Sequence, residues 1–95
     1  STIPFLERDI SIIVSKHITS DQVLTVIRKM GKPFLENVEL IDKYEGTNLD
    51  INQCSLTYRL WFRYKDRTLT DNDVQPIQTK IRNGLINDLE AELRI

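Results

Sequence analysis

The alternation of apolar and polar residues is clearest between residues 54 and 63. Leu56, Tyr58, Leu60 and Phe62 occupy even positions, while polar or amphipathic residues occupy the odd ones. This period of two predicts a half-buried strand with one face toward a core. The odd face combines hydroxyls, guanidiniums and a large aromatic, a mixture that binds phosphates and stacks on bases. Its members are Ser55, Thr57, Arg59, Trp61 and Arg63.

An ordinary amphipathic strand is the alternative interpretation of this face. In that case Trp61 packs beside the stems of the neighbouring arginines and binds nothing. The residues of the strand by themselves leave both interpretations open.

Three further segments have strand patterns: residues 9–15, residues 35–44 and a short closing segment, residues 91–95. In the second of these, the adjacent pair Leu40-Ile41 breaks the alternation, and a β-bulge there would restore it. The bulge would place Val38, Leu40 and Ile41 inside and turn Asp42 and Tyr44 toward the exposed side. The residues 45–53 between the second and third strands are predicted to form a hairpin loop.

The first predicted helix follows Thr19, which with Gln22 matches a capping box. Gly31 and then Pro33 supply its C-terminal stop. Its buried stripe is predicted to contain Val23, Leu24, Ile27 and Met30.

The second predicted helix follows Thr70, which approximates a capping box with Asp73. Apolar residues then recur at intervals of three and four until Leu89. Pro76 near the second turn lacks an amide donor, so a distorted start or a kink is expected there.

The predicted order is strand, helix, strand, strand, helix, strand, in one domain spanning residues 1–95. This order indicates an α+β fold of the ferredoxin-like βαββαβ type, a four-stranded antiparallel sheet with two helices on one face. Right-handed crossovers would place the strands that begin near Asp9 and Cys54 at the centre. The other face of the sheet is then open and carries the odd positions of residues 54–63.

Composition narrows the function classes. The 95 residues include 13 basic and 14 acidic ones, so a net charge of -1 argues against nucleic-acid binding by bulk charge. No apolar run is long enough for a membrane span, and no membrane partner is expected. The chain begins Ser-Thr-Ile-Pro, without an initiator Met or a secretory pattern, which suits a domain excised from a larger chain.

Catalytic and metal-binding constellations are missing from the sequence. Cys54 is the single cysteine and His17 the single histidine, which excludes an intramolecular disulfide and a cysteine-based zinc site. Glycine-rich phosphate loops and the common hydrolase motifs are also missing. The sequence therefore predicts a binding module without a catalytic site, and a solvated His17 in a loop.

Several short patterns together resemble the ferredoxin-fold anticodon-binding domain that ends the β chain of bacterial-type phenylalanyl-tRNA synthetase. The most specific is Arg67-Thr68-Leu69-Thr70-Asp71 following Ser55-Leu56-x-Tyr58-Arg59-Leu60. The others are Arg8-Asp9, Glu36-x-Val38-x-Leu40-x-Asp42-x-Tyr44 and the closing Ala91-x-Leu93-Arg94. The chain departs from the family pattern at Pro76 and at Glu90, where a glycine is common.

The resemblance implies contact with the anticodon stem-loop of tRNA(Phe), with Tyr44 as a stacking platform and Asp42 and Ser55 as hydrogen-bonding groups. It implies no catalytic residue, metal or cofactor in this domain, because aminoacylation with ATP and Mg²⁺ occurs elsewhere in the enzyme. The implied protein partners are the rest of the β chain and the α chain, in the cytoplasm or in an organelle. Thr70 is expected to cap a helix, and Arg67 to pair with Asp9.

A second function class stays open on the sequence. A ferredoxin-like domain can also dock a protein or a small regulatory ligand on its open sheet. Phosphate-based RNA binding weakens steeply with salt, whereas an apolar protein interface does not, so salt dependence distinguishes the two.

Overall fold

The computed structural model describes residues 2–94, and its elements follow the predicted order. The strands are β1 (Leu6–Ser15), β2 (Leu35–Tyr44), β3 (Gln53–Phe62) and β4 (Glu92–Leu93). The helices are α1 (Ser20–Met30) and α2 (Asp71–Leu89). The predicted ferredoxin-like βαββαβ fold is confirmed. Within the described residues, neither helix combines the length and the apolarity that a membrane crossing requires.

The sheet is antiparallel with the strand order β2-β3-β1-β4, so β1 and β3 are central as predicted. β4 is shorter than the predicted segment 91–95. Ala91 lies instead in the turn that closes the end of α2, because its N–H donates to the Leu85 carbonyl oxygen at 3.2 Å. Ile95, the predicted end of the strand, lies outside the described residues.

The core lies between the even positions of β3 and the two helices. Burial of these apolar side chains supplies most of the favourable free energy of folding. The Tyr58 hydroxyl lies 3.1 Å from the Ser20 hydroxyl, so its polar end has a partner, and burial raises the pKa of Tyr58. The core side chains that are at most 3% exposed are Ile12, Val14, Val23, Ile27, Cys54, Leu56, Tyr58, Leu60, Phe62, Val74, Ile81 and Leu85.

The buried stripe of α1 differs slightly from the prediction. Val26 is buried beside Val23 and Ile27, whereas Leu24 and Met30 are only half-buried. Gly84 of α2 approaches this part of α1 closely, because a Cβ added there would lie 3.0 Å from Met30 Cγ and 3.1 Å from Val26 Cγ1.

Both ends of α1 follow the sequence prediction. Thr19 Oγ1 accepts from the Gln22 N–H at 3.1 Å, and Gln22 Oε1 accepts from the Thr19 N–H at 2.8 Å. Gly31 is the C-cap, but its φ of -78° is open to any residue. Glycine is needed there for space, because a Cβ would lie 2.9 Å from the Ile27 carbonyl oxygen.

The start of α2 confirms the capping role of Thr70 and corrects the partner of Arg67. Asp73 accepts from the Thr70 N–H at 2.8 Å. Arg67 donates to both Asp73 carboxylate oxygens, at 2.7 and 2.9 Å, and this contact holds the pKa of Asp73 well below its usual range. The predicted Arg67–Asp9 pair is wrong, because Arg67 lies in the turn just before α2 while Asp9 faces Arg59 across the sheet.

The second helix continues through Pro76 without interruption and ends at an unusual residue. Glu90, the C-cap, has φ 54° and ψ 33°, the left-handed conformation that favours glycine. This is the position at which the resemblance described above implies a glycine.

The predicted bulge of β2 is present, since its register against β3 shifts between Leu40 and Asp42. A second shift lies between Leu35 and Asn37. The predicted burial of Ile41 is wrong, because its side chain is 40% exposed. As the extra residue of the bulge, Ile41 has no partner on β3 and turns away from the core.

Candidate nucleic-acid interface

The open face of the sheet consists of rows of three residues, one each from β2, β3 and β1, with the odd positions of β3 in the middle. The strand rises ~3.3 Å per residue, so Ser55 and Arg63 lie roughly 26 Å apart. The predicted site residues therefore share one face but cannot all contact one nucleotide. From one end to the other, the rows are Tyr44–Ser55–Ile13, Asp42–Thr57–Ser11, Glu39–Arg59–Asp9 and Asn37–Trp61–Glu7.

Tyr44 is an accessible aromatic residue of this face, with 37% of the residue exposed. The guanidinium carbon of Arg94 lies 5.5 Å from the centre of the Tyr44 ring. The loop after β2 closes on another side, since a Cβ added at Gly46 would overlap the phenol. The ring is thus held in place while part of it stays open to solvent.

Ser55 differs from its prediction, because it is 3% exposed rather than open. The Arg94 side chain covers it and donates from Nη1 to Ser55 Oγ at 3.1 Å. Any effect of Ser55 on a bound base therefore passes through Arg94. Its role in RNA binding stays a prediction.

Arg94 is the site residue that the sequence reasoning left out. Its backbone N–H donates to the Ser11 carbonyl oxygen at 2.9 Å, which extends β4 by one residue along β1. The signal was present in the alternation of Ala91, Leu93 and the polar residues between them, which places Arg94 on the open face.

Asp42 and Thr57 lie in the next row, and their side chains differ in their hydrogen-bond partners. Asp42 is exposed, and within residues 2–94 its side chain makes neither an ion pair nor a hydrogen bond. The Thr57 hydroxyl lies 2.8 Å from the Ser11 hydroxyl. A free carboxylate beside an accessible aromatic ring can accept hydrogen bonds from the amino or imino groups of a stacked base.

The guanidiniums at the other end of the face are already paired. Arg59 donates to Asp9 at 2.9 and 3.2 Å, and this contact raises the pKa of Arg59. Arg63 donates to Glu36 at 2.8 and 3.0 Å, which lowers the pKa of Glu36. A phosphate at either arginine would have to compete with a bidentate carboxylate.

Two aromatic residues lie at this end: Phe5, which is 42% exposed, and Trp61. The Arg63 guanidinium also lies 3.9 Å from the centre of the Phe5 ring. Trp61 is half-buried, with Glu7 and Asn37 as its partners across the sheet. Because Arg59 and Arg63 are bound by carboxylates, the end that carries Tyr44, Asp42 and Arg94 is better prepared for a nucleotide.

Comparison with known proteins agrees with this geometry. The family model of the ferredoxin-fold anticodon binding domain matches residues 1–94. Similar curated proteins are phenylalanine–tRNA ligase beta subunits. That of Prochlorococcus marinus (strain MIT 9313) is 48% identical over 98% of this chain, and that of Synechococcus sp. (strain CC9605) is 45% identical over 98%. That of Trichormus variabilis is 42% identical over 99%.

The chain spans only 11 to 12% of the length of these relatives. Their similarity therefore concerns one domain of a much longer polypeptide. With the matching family model and the observed βαββαβ sheet, the chain belongs to the ferredoxin-fold anticodon binding domain family.

Proposed function

We propose that this chain is the anticodon-reading domain of a phenylalanyl-tRNA synthetase β chain and that it contacts the anticodon stem-loop of tRNA(Phe). The observation that carries the proposal is the Tyr44 ring, which is 37% exposed and held by Arg94 next to the unpaired Asp42 carboxylate. The similarity to phenylalanine–tRNA ligase beta subunits supports the choice of synthetase.

In this proposal an anticodon base stacks on Tyr44, and Asp42 accepts a hydrogen bond from the edge of that base. Stacking on an aromatic ring and hydrogen bonding to an unpaired base edge are how proteins read single-stranded loops of RNA. Arg94 fixes the Tyr44 ring and is itself anchored on Ser55. Neighbouring nucleotides extend along the face toward Thr57, Arg59, Trp61 and Arg63.

Catalysis lies elsewhere in this proposal. Phenylalanine activation, with its ATP and Mg²⁺, belongs to other domains of the β chain and to the α chain. The isolated domain should then bind an anticodon stem-loop no more tightly than ~10⁻⁶ M at physiological salt, since a net charge of -1 provides little long-range attraction.

The test compares Tyr44→Ala with Tyr44→Phe in binding of the tRNA(Phe) anticodon stem-loop. One lost stacking contact is worth about 1–3 kcal/mol, so Tyr44→Ala should weaken binding by roughly tenfold or more, while Tyr44→Phe changes it little. The same hairpin with a changed anticodon is the control for base recognition. Equal losses in the two variants would assign the effect to the hydroxyl and contradict stacking.

A salt series on the same samples separates RNA recognition from docking of a protein. Hairpin binding should weaken as KCl rises, because phosphate contacts release counterions. A native chain that fails to bind the hairpin even at low salt would contradict the proposed function.

A further inference from the structure

The arginines of the described residues fall into two groups. Arg8, Arg59, Arg63 and Arg67 form ion pairs with carboxylates, which compensate their charge. Within residues 2–94, three arginines have no acidic partner: Arg28, Arg82 and Arg94. A guanidinium without a carboxylate partner is the better phosphate ligand, because no existing pair must be broken.

Two of these three arginines line one cleft at the edge of the sheet. Arg82 reaches it from α2 and Arg94 from the end of β4, and the cleft has a volume of about 330 Å³. It exists because β4 pairs only with Ile12 and Ile13, so the described residues provide no strand beside the first half of β1 on that side. The remaining lining residues are Asp9, Ile10, Ser11 and Leu93.

The cleft adjoins the Tyr44 ring, on which the base is proposed to stack. Arg94 both lines the cleft and lies against the Tyr44 ring, with its Nη1 bonded to Ser55. Asp9 is the acidic residue of the lining, but its carboxylate is bound by Arg59 through both oxygens. The net charge around the cleft therefore favours an anion.

We infer that Arg82 and Arg94 hold a backbone phosphate of the RNA strand whose base stacks on Tyr44. This inference rests on the proposed function and adds to it the residues that fix the position of the strand. Phosphate contacts of this kind set register and orientation, while the base contacts at Tyr44 and Asp42 provide sequence discrimination. The open face reads the base, and its β4 edge holds the backbone.

Arg28 provides a matched control for Arg82. It is also exposed and without an acidic partner, but it lies on α1 beside β2, at the opposite edge of the sheet. Arg28→Gln and Arg82→Gln therefore remove the same charge from opposite edges. Both positions are exposed on helices, and a heteronuclear NMR spectrum of each variant verifies the fold.

The experiment measures binding of the tRNA(Phe) anticodon stem-loop by NMR titration across a series of KCl concentrations. For Arg82→Gln, loss of one contact to a single strand should reduce the slope of log K against log [salt] by about 0.7 and weaken binding about fivefold near ~0.1 M salt. Arg28→Gln should retain the slope and affinity of the native chain.

A second arm replaces the loop phosphates of the hairpin one at a time by uncharged methylphosphonates. One replacement should weaken binding to the native chain and have little further effect on Arg82→Gln, because the two changes remove the same contact. If Arg82→Gln behaves like Arg28→Gln and no phosphate is linked to it, the cleft holds no phosphate. The proposed function would survive that result as long as Tyr44→Ala still weakens binding, whereas no binding by the native chain would contradict both.

Discussion

Alternate residues of β3 face two environments that are stabilised by different interactions. On the helix side, Leu56, Tyr58, Leu60 and Phe62 are at most 3% exposed, and removal from water is what holds them. On the open side, Arg59 and Arg63 are bound by carboxylates from neighbouring strands. The first face tolerates little change of volume, whereas the second depends on which charges are paired and which are free.

The difference shows how a domain with a net charge of -1 can attract phosphate locally, as the proposed function requires. Ion pairs compensate most of the arginines and, within residues 2–94, leave Arg94 and Arg82 without a carboxylate partner at one edge of the sheet. Attraction for phosphate is then local rather than spread over the molecule.

The largest expected effect is a loss of stability when a side chain on the helix side of β3 is truncated. Leu60→Ala should lower the free energy of unfolding by about 2–5 kcal/mol, because it leaves a cavity in a closely packed core. Thr57→Val on the open side of the same strand loses only the hydrogen bond to Ser11 and should cost about 0.5–1.5 kcal/mol. Urea denaturation measures both. Equal losses would mean that the two faces are not stabilised differently.

A change of charge pairing should strengthen RNA binding. Asp9→Asn releases the Arg59 guanidinium, so one further phosphate contact should improve hairpin binding about fivefold near ~0.1 M salt and steepen the salt dependence. Asp88→Asn, an exposed carboxylate of α2, is the control that removes the same charge away from the open face. If both variants gain equally, net charge and not the release of Arg59 is responsible.

The turn from α2 to β4 allows stability to be raised without altering the open face. Glu90→Gly removes the cost of a left-handed non-glycine residue, partly offset by greater freedom of the unfolded chain, and should stabilise by about 0.5–1 kcal/mol. Glu90→Ala should give no such gain. Thermal unfolding measures the change in stability, and the affinity for the hairpin should stay constant. If Glu90→Gly were less stable than the native chain, the left-handed backbone of Glu90 would not be strained.

The smallest expected effect is the pH dependence of the stability that the Arg63–Glu36 ion pair contributes. Because Arg63 lowers the pKa of Glu36 in the folded state, the unfolded chain binds more protons below the ordinary value of 4.5. The stabilisation is therefore present above that pH and is lost as pH falls through the folded pKa. Melting temperatures of the native chain and of Arg63→Gln should differ near neutral pH and converge in acid. A constant difference at all pH values would assign the effect of Arg63 to packing on Phe5.

The sequence by itself determined the order of elements, the central position of β1 and β3, and the separation of the two faces. The order of elements and the separation of the faces follow from local rules, since the period of two along β3 and the capping pairs Thr19–Gln22 and Thr70–Asp73 act within a few residues of each other. The central position of β1 and β3 follows from the handedness of the crossover connections. The presence of a bulge in β2 was also predictable from its broken alternation. Tyr44 and Asp42 were placed on the open face by the same parity.

Only the tertiary structure decided which side chains meet. Asp9 pairs with Arg59 rather than Arg67, and Arg94 covers Ser55 and lies against Tyr44. These contacts join residues 39 and 50 positions apart along the chain, and alternation specifies the face of a strand but not its neighbour or the reach of a long side chain. The free or paired state of each arginine is therefore a property of the assembled sheet.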